Sequence, residues 1–354
     1  MKFPFRIERR KKVSVWLHLL SVIAAMVIGL SICAFLIRGA NANVIDAYKA
    51  LFLGAFGSTN AFLDTLIQAT PLILTGLAMV ISFRSEVINL GAEGQFLAGT
   101  MAAAWISMNF SDAPRLLLIP LLAISGMIAG ALWGLIPGLL KAKLNTSEVL
   151  STVILNYIIL YFLSYLLSGP WKPPSEYLMQ TSKFAENTYW PNLYGNLHLG
   201  FFIGLVCAGL LAYLIQKTPF GYELRAVGEN REASRYNGIR IEHIILLSMM
   251  LSGALAGLAG VGEISGVHHR LRIDISKGYG WTGILIALLA QLNPIGVIFS
   301  AIFYGGLING SVSMSINTGV PTALIEAIQG ILMFVLLATG TMLQYRLRRI
   351  DQNE

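Results

Sequence analysis

Asn89, Glu93, Gln95 and Phe96 fall within one short stretch of otherwise apolar chain, and Tyr279, Trp281, Gln291 and Asn293 form a second such group. Amides make neutral hydrogen bonds in both directions, and flat aromatic rings stack on flat ligands. The chemistry these residues suit is recognition of a small, polar, uncharged ring compound, with Asn309 as a further amide. An amino-acid carboxylate would instead favour an Arg or a helix N-terminus. Two plainer roles stand beside this one. Amides join helices for under ~1–2 kcal/mol each, and Glu93 fits a helix start near a membrane surface as well as a solute path. The chain holds no GxxxxGK[ST], no HExxH and no metal-spaced Cys/His cluster, so no resident cofactor, metal or catalytic residue is expected.

A different polarity fills residues 217–239, KTPFGYELRAVGENREASRYNGI, a charged island between two apolar segments. It is too polar to cross a bilayer. Glu232-Ala233-Ser234 followed by Asn237-Gly238-Ile239 has the pattern of a short helix ended by a glycine. A folded polar element held between spans suits a permease driven by an engine outside the membrane.

The elements that carry these residues follow from composition. Hydrophobic residues make up 55% of the 354 and charged residues 12%, roughly half the charge of a soluble chain. Apolar runs recur at lengths near the ~20 residues needed to cross ~30 Å of hydrocarbon. The expected fold class is an all-α polytopic membrane protein of about ten spans, near 15–37, 62–82, 92–110, 116–140, 147–168, 199–216, 243–262, 279–292, 294–312 and 321–343. Residues 15–37 follow a basic cluster as a secretory signal would, but the apolar run is too long for a signal core and reads as a first helix. Cys33 and Cys207 lie in apolar spans and read as packing residues.

Lys and Arg placement sets orientation. With the N-terminus cytoplasmic, about 17 of the 25 basic residues fall on that side, and an even number of spans returns the C-terminus there. The expected organisation is a basic N-terminus at 1–14, a transmembrane permease domain at 15–343 and a cytoplasmic tail at 344–354. Residues 169–198 form an outer loop and 217–242 a cytoplasmic coupling segment. Glu263, His268, His269, Arg270, Arg272, Asp274 and Lys277 fall in a further outer loop and read as a solvated face rather than a metal site. The chain is broken at Phe83–Gly99 by Glu86, Asn89, Glu93, Gln95 and glycines, and near 293 by Asn293-Pro294. Such breaks in corresponding halves mark a transporter's central site and fit a 5+5 inverted repeat.

Three motifs occur in order: Asn89-Leu90-Gly91-Ala92-Glu93-Gly94-Gln95-Phe96, then Phe220-Gly221 with Leu224-Arg225-Ala226-Val227-Gly228-Glu229-Asn230, then Gly280-Trp281-Thr282-Gly283-Ile284 through Asn293-Pro294-Ile295-Gly296. Together, over about 60–343, they resemble the permease subunits of bacterial ATP-binding-cassette importers, in the branch serving branched-chain amino acids, simple sugars and nucleosides. The first motif looks like the nucleoside-type and general sugar permeases, and lacks the Asp-Leu-Ser-Val-Gly of ribose-type members. The resemblance implies alternating access, with ATP and Mg bound by a separate ATPase subunit. It also implies a second permease subunit, a paralogue or a second copy, and an extracytoplasmic solute-binding protein or lipoprotein. It maps the ATPase-coupling segment onto Arg225, Arg231, Glu232, Ala233, Ser234 and Gly238, with Ser234 in place of a second Ala. The rival classes are an ion-coupled carrier using Glu93 or Glu326 and a membrane scaffold or enzyme, the latter disfavoured because no clustered catalytic constellation falls on one face of any span.

Overall fold

The computed structural model describes residues 5–9, 15–174, 177–343 and 345–349. The expectations that rest on Lys2, Arg10, Lys11 and Lys12 lie outside the described residues. The chain is mostly helical: β1 (Phe5–Arg9), α1 (Val15–Gly39), α2 (Val44–Phe56), α3 (Thr59–Arg84), α4 (Ala92–Asn109), α5 (Arg115–Leu144), α6 (Glu148–Ser168), β2 (Asn192–Tyr194), β3 (Leu197–His198) and α7 (Leu199–Lys217). Then follow α8 (Pro219–Glu229), α9 (Arg231–Tyr236), α10 (Ile241–Glu263), a π-turn at Ile264–His268, α11 (Tyr279–Leu289), α12 (Pro294–Thr318), α13 (Thr322–Leu343) and β4 (Tyr345–Arg349).

A helix occupies each expected span. Among the described residues seven helices are long and apolar enough to cross a membrane, or eight counting α1 and α2 as one span bent by 118°. Neither α4 nor α11 is among the seven. At 11 residues, α11 reaches only about half-way across a ~30 Å core at 1.5 Å per residue. The stretch 38–61, left between the first two expected spans, holds α2, capped where the Asn43 side chain accepts from Ile45 N at 3.0 Å.

Two compact units divide the chain, at residues 61/62 inside α3 and 306/307 inside α12. The first comprises α1, α2, the end of α12 and α13. Cys33 is buried there, its thiol against the Ile328 carbonyl at 3.8 Å. Asn309 donates to Gly54 O at 3.0 Å and Ala61 O at 2.9 Å, tying α12 to both ends of the α2–α3 connection. In the same unit β1 pairs antiparallel with β4, Phe5 opposite Arg349 and Arg9 opposite Tyr345.

The second unit, Phe62–Gly306, is built around two deeply buried helices. The apolar windows of α3 and α10 are 83% and 72% buried, against 22% and 28% for α5 and α6, so the latter pair carries the apolar surface suited to lipid or a partner. Glycines let α4, α5 and α10 meet backbone to backbone. A Cβ at Gly130 would stand 2.1 Å from Gly253 O, and one at Gly99 2.2 Å from Gly257 O. Lipid offers no hydrophobic drive between helices, so such close packing is what holds them together.

Candidate functional site

The first site begins where α3 stops. Asn89 is fully buried. Its Oδ1 accepts from Gly91 N at 2.9 Å, and its Nδ2 donates to Gln95 Oε1 at 3.1 Å and Ser252 Oγ at 2.8 Å. From α6, Asn156 accepts from Gly94 N at 2.8 Å and donates to Leu90 O at 2.8 Å. Broken backbone at membrane depth survives only where protein or a water-filled cavity satisfies it. Here side-chain amides do so, which is why Asn and Gln stand in an apolar run. In this conformation the Asn89 and Gln95 amides are engaged with each other and with Ser252.

Glu93, in the first turn of α4, joins that helix to α11. Its carboxylate accepts from Gly280 N at 2.8 Å and from the Ser276 side chain. A Cβ at Gly280 would stand 2.3 Å from Glu93 N, so the two helix N-termini cross in direct contact. A carboxylate there meets the positive ends of both helices. Beside it the rings of Phe96 and Tyr279 pack 5.8 Å apart. Trp281, on α11 like Tyr279, is 41% exposed, whereas Tyr279 is buried.

Gln291 and Asn293 lie at the opposite end of α11, about 16 Å along the helix at 1.5 Å per residue. Gln291 and Leu292 both adopt left-handed backbone, φ 51° and 56°, and the Asn293 side chain accepts from Ile295 N at 3.0 Å to start α12. The residues grouped by sequence thus divide between a junction (Asn89, Glu93, Gln95, Phe96, Tyr279) and a distant break (Gln291, Asn293). Asn309 belongs to the other compact unit.

Residues 263–278 are only in part the solvated face expected: Asp274 and Lys277 are exposed, but the start of the segment is buried. Glu263 is 3% exposed, with His268 Nε2 3.4 Å from its carboxylate. The segment is covered by residues 180–198. Trp190 N donates to Ser265 O at 3.0 Å, Phe184 N to His269 O at 2.9 Å, and the Tyr189 ring stacks on His269 at 3.8 Å. Arg272 and Asp274 keep an exposed ion pair at 2.7 Å. His198, missed in the sequence because no motif surrounds it, is buried under this cover, and its Nδ1 accepts from Gly200 N at 3.1 Å. Burial, helped by His269, pushes its pKa down to about 4. Among the described residues no group of three His, Cys, Asp or Glu could hold a metal ion.

The charged island folds as two short helices. Thr218 caps α8, accepting from Gly221 N at 3.2 Å with Pro219 in the first turn, and Asn230 caps α9, accepting from Ala233 N at 2.9 Å. Gly238 takes φ 79° just after α9, the left-handed stop its sequence implied. The Arg225 guanidinium donates to Ile215 O, folding α8 back on the end of α7. Ser234 is buried, with its hydroxyl donating to Asn230 O at 2.8 Å, while Glu232 and Ala233 are exposed. Tyr222 and Tyr236 project at 63% and 92% exposure, which sequence reasoning overlooked. Beside α9 opens a cavity of about 410 Å³ lined by Arg235, Ile239, Arg240, Ile241, Glu242, His243 and Leu246.

The family described as "Branched-chain amino acid transport system / permease component" matches residues 61–337. The guanosine ABC transporter permease protein NupP of Bacillus subtilis is 36% identical over 89% of this chain and 92% of its own. The nucleoside ABC transporter permease protein NupB of Lactococcus lactis is 35% identical over 88% of each. The glucose ABC transporter permease protein TsgB13 of Haloferax volcanii is 30% identical over 98% of this chain and 94% of its own. No solved structure matches the chain. With its several apolar helices and a family match over most of its length, the chain belongs to the branched-chain amino acid transport system permease family, as an ABC transporter permease spanning the cytoplasmic membrane many times.

Proposed function

We propose that the chain carries nucleosides into the cell as the membrane subunit of an importer whose ATP and Mg are bound by a separate ATPase subunit. The observation that carries the substrate reading is the 35–36% identity to two nucleoside permeases over nearly nine-tenths of the chain. The junction agrees with it in chemistry. Phe96 and Tyr279 offer ring faces, Asn89, Glu93 and Gln95 offer hydrogen bonds, and no Arg stands among these residues to pair with a substrate carboxylate. Gln291 and Asn293 would act nearer the coupling end, and Trp281 on the exposed side of α11. Simple sugars are the second reading, favoured by the relative named for glucose. Branched-chain amino acids come behind them.

Ten membrane crossings with both termini cytoplasmic remain the topology that Lys and Arg placement supports, with residues 169–198 outside and 217–242 inside. The N-terminal contact of α4 with α11, each beginning after a break, is what a 5+5 inverted repeat would produce. The exposed faces of α8 and α9 are then the ATPase docking surface, with Arg231, Glu232, Ala233 and Gly238 presented to the ATPase and Arg225 and the buried Ser234 holding the two helices in place. A second permease subunit, a paralogue by preference, and an extracytoplasmic binding protein or lipoprotein complete the assembly. An ion-coupled carrier is the weaker alternative: Glu326 is exposed on α13, and Glu93 is engaged with Gly280 and Ser276.

The test is uptake of radiolabelled guanosine by cells with and without the gene, against excess adenosine, uridine, ribose, glucose and leucine. Competition by nucleosides alone is expected. Competition by glucose or ribose would move the assignment to sugars.

A further inference from the structure

We propose that the turn following α3, residues 84–89, is the relay that carries movement of α8 and α9 to both the polar junction and the α11–α12 break, with Arg84 as its positioning residue. This rests on the reading of α8 and α9 as the ATPase-coupling element.

Four elements meet on this turn. A Cβ at Gly228 of α8 would stand 2.1 Å from Arg84 O, so the α8 backbone presses directly on the end of α3. From α9, Arg231 Nη2 donates to Glu86 O at 2.9 Å, and its Nε lies 3.8 Å from the Glu86 carboxylate. On the opposite side α10 holds the turn: Ser85 Oγ donates to Ser248 Oγ at 3.1 Å, and Val87 packs with Ile245 and Met249. Arg84 itself reaches the α11–α12 break, where Nε and Nη2 both donate to Leu292 O at 3.0 and 2.9 Å.

The backbone at both ends of that reach is in a sparsely populated region. Glu86 has φ 57°, and Gln291 and Leu292 have φ 51° and 56°. A bulky Leu holds such a conformation only where its surroundings over-determine it, and the forked guanidinium on its carbonyl is the restraint seen here. Two turns with left-handed residues are thereby tied to one another. Since α10 fixes one side of the 84–87 turn, a shift of α8 or α9 has to be absorbed within it. Two residues on, the chain reaches Asn89, which holds Gln95 and Ser252. The far end of α11 is the one that Glu93 grips through Gly280. Movement of one turn is therefore felt at both ends of α11 and at the start of α4.

The test uses the assembled transporter, with Cys33 and Cys207 replaced by Ala and Asn293→Cys as a reporter at the break. Maleimide labelling at this position is compared with and without ATP and vanadate. The relay predicts that trapping ATP changes the labelling rate, and that Arg84→Lys and Gly228→Ala each abolish the change while ATPase binding and nucleotide trapping persist. Lysine keeps the charge but loses the fork; alanine keeps every hydrogen bond but forces α8 off the turn. An ATP-dependent change that persists in both variants would overturn the relay. So would its absence from the parent, or loss of ATPase binding in both variants, which would mark a role in holding the fold. Glu232→Lys separates the two readings. If it leaves ATPase binding and the labelling change normal, the coupling reading of that residue fails. If it abolishes the change while the other two variants do not, the relay alone fails.

Discussion

At the scale of single residues, polar groups in this chain serve its backbone before they serve a ligand. Asn89→Ala would leave Gly91 N, Ser252 and Gln95 without partners inside a buried site, and an orphaned buried polar group costs roughly 1–3 kcal/mol. The expected outcome is a lower melting temperature of the detergent-purified protein, measurable with no substrate present. A melting temperature equal to wild type would contradict the bonding described here. His198 makes a pH prediction. Its folded pKa, about 4, lies below the ordinary 6.5, so between those values the unfolded chain binds a proton that the folded chain refuses. The stability it contributes is present above about pH 6.5 and is lost as pH falls toward 4. Thermal melts from pH 7 to 4.5 should show a shallower decline for His198→Gln than for wild type. The amides at 89 and 95 were legible in the sequence because polarity inside an apolar run is conspicuous. His198 was not, since its burial is created by residues distant in sequence.

At the scale of elements, hydropathy and capping signals explain what was read correctly. The Gly238 stop of α9 is such a signal; Thr218-Pro219 and Asn230 start α8 and α9 by equally local instructions, though only the one short helix that Gly238 ends was expected. The helix α2 escaped because Asp46 and Lys49 make its 13 residues look like a loop, and its stability comes from packing that no local signal reports. Glu263 escaped for a related reason: a charged residue beyond an apolar run reads as exposed, whereas the 180–198 segment folds over it. Gln291 and Asn293 were grouped with Tyr279 because sequence proximity hides the length of the helix between them. The exposed face of α9 carries its own prediction. Tyr236 projects from its end, and aromatic anchors dominate many interfaces. Tyr236→Ala should weaken co-purification with the ATPase subunit by about tenfold, or ~1.4 kcal/mol, without altering the thermal stability of the permease alone. Unchanged co-purification would remove this residue from the docking surface.

For the whole molecule, the membrane made the architecture legible. Every backbone group must be satisfied within the chain in hydrocarbon, so long apolar runs must be helices. A helix stands at each expected position, but among the described residues only seven or eight spans are long and apolar enough to cross a membrane, and which helices lie at the centre is not written in the sequence. The core of the larger unit is set by glycine contacts among α4, α5 and α10, and glycine in a membrane helix gives no sign in sequence of which neighbour it meets. Gly130→Leu should therefore prevent folding, since any side chain there meets the Gly253 backbone, and the expected readout is loss of the monodisperse species in size-exclusion chromatography. A monodisperse variant would contradict the packing. The account as a whole turns on where the energy for transport originates. Its most direct test is guanosine uptake into proteoliposomes holding the assembled transporter and binding protein, with ATP supplied to the α8–α9 side and a protonophore present or absent. Uptake that requires ATP and ignores the protonophore is predicted. Uptake that proceeds without ATP and collapses with the protonophore would contradict it.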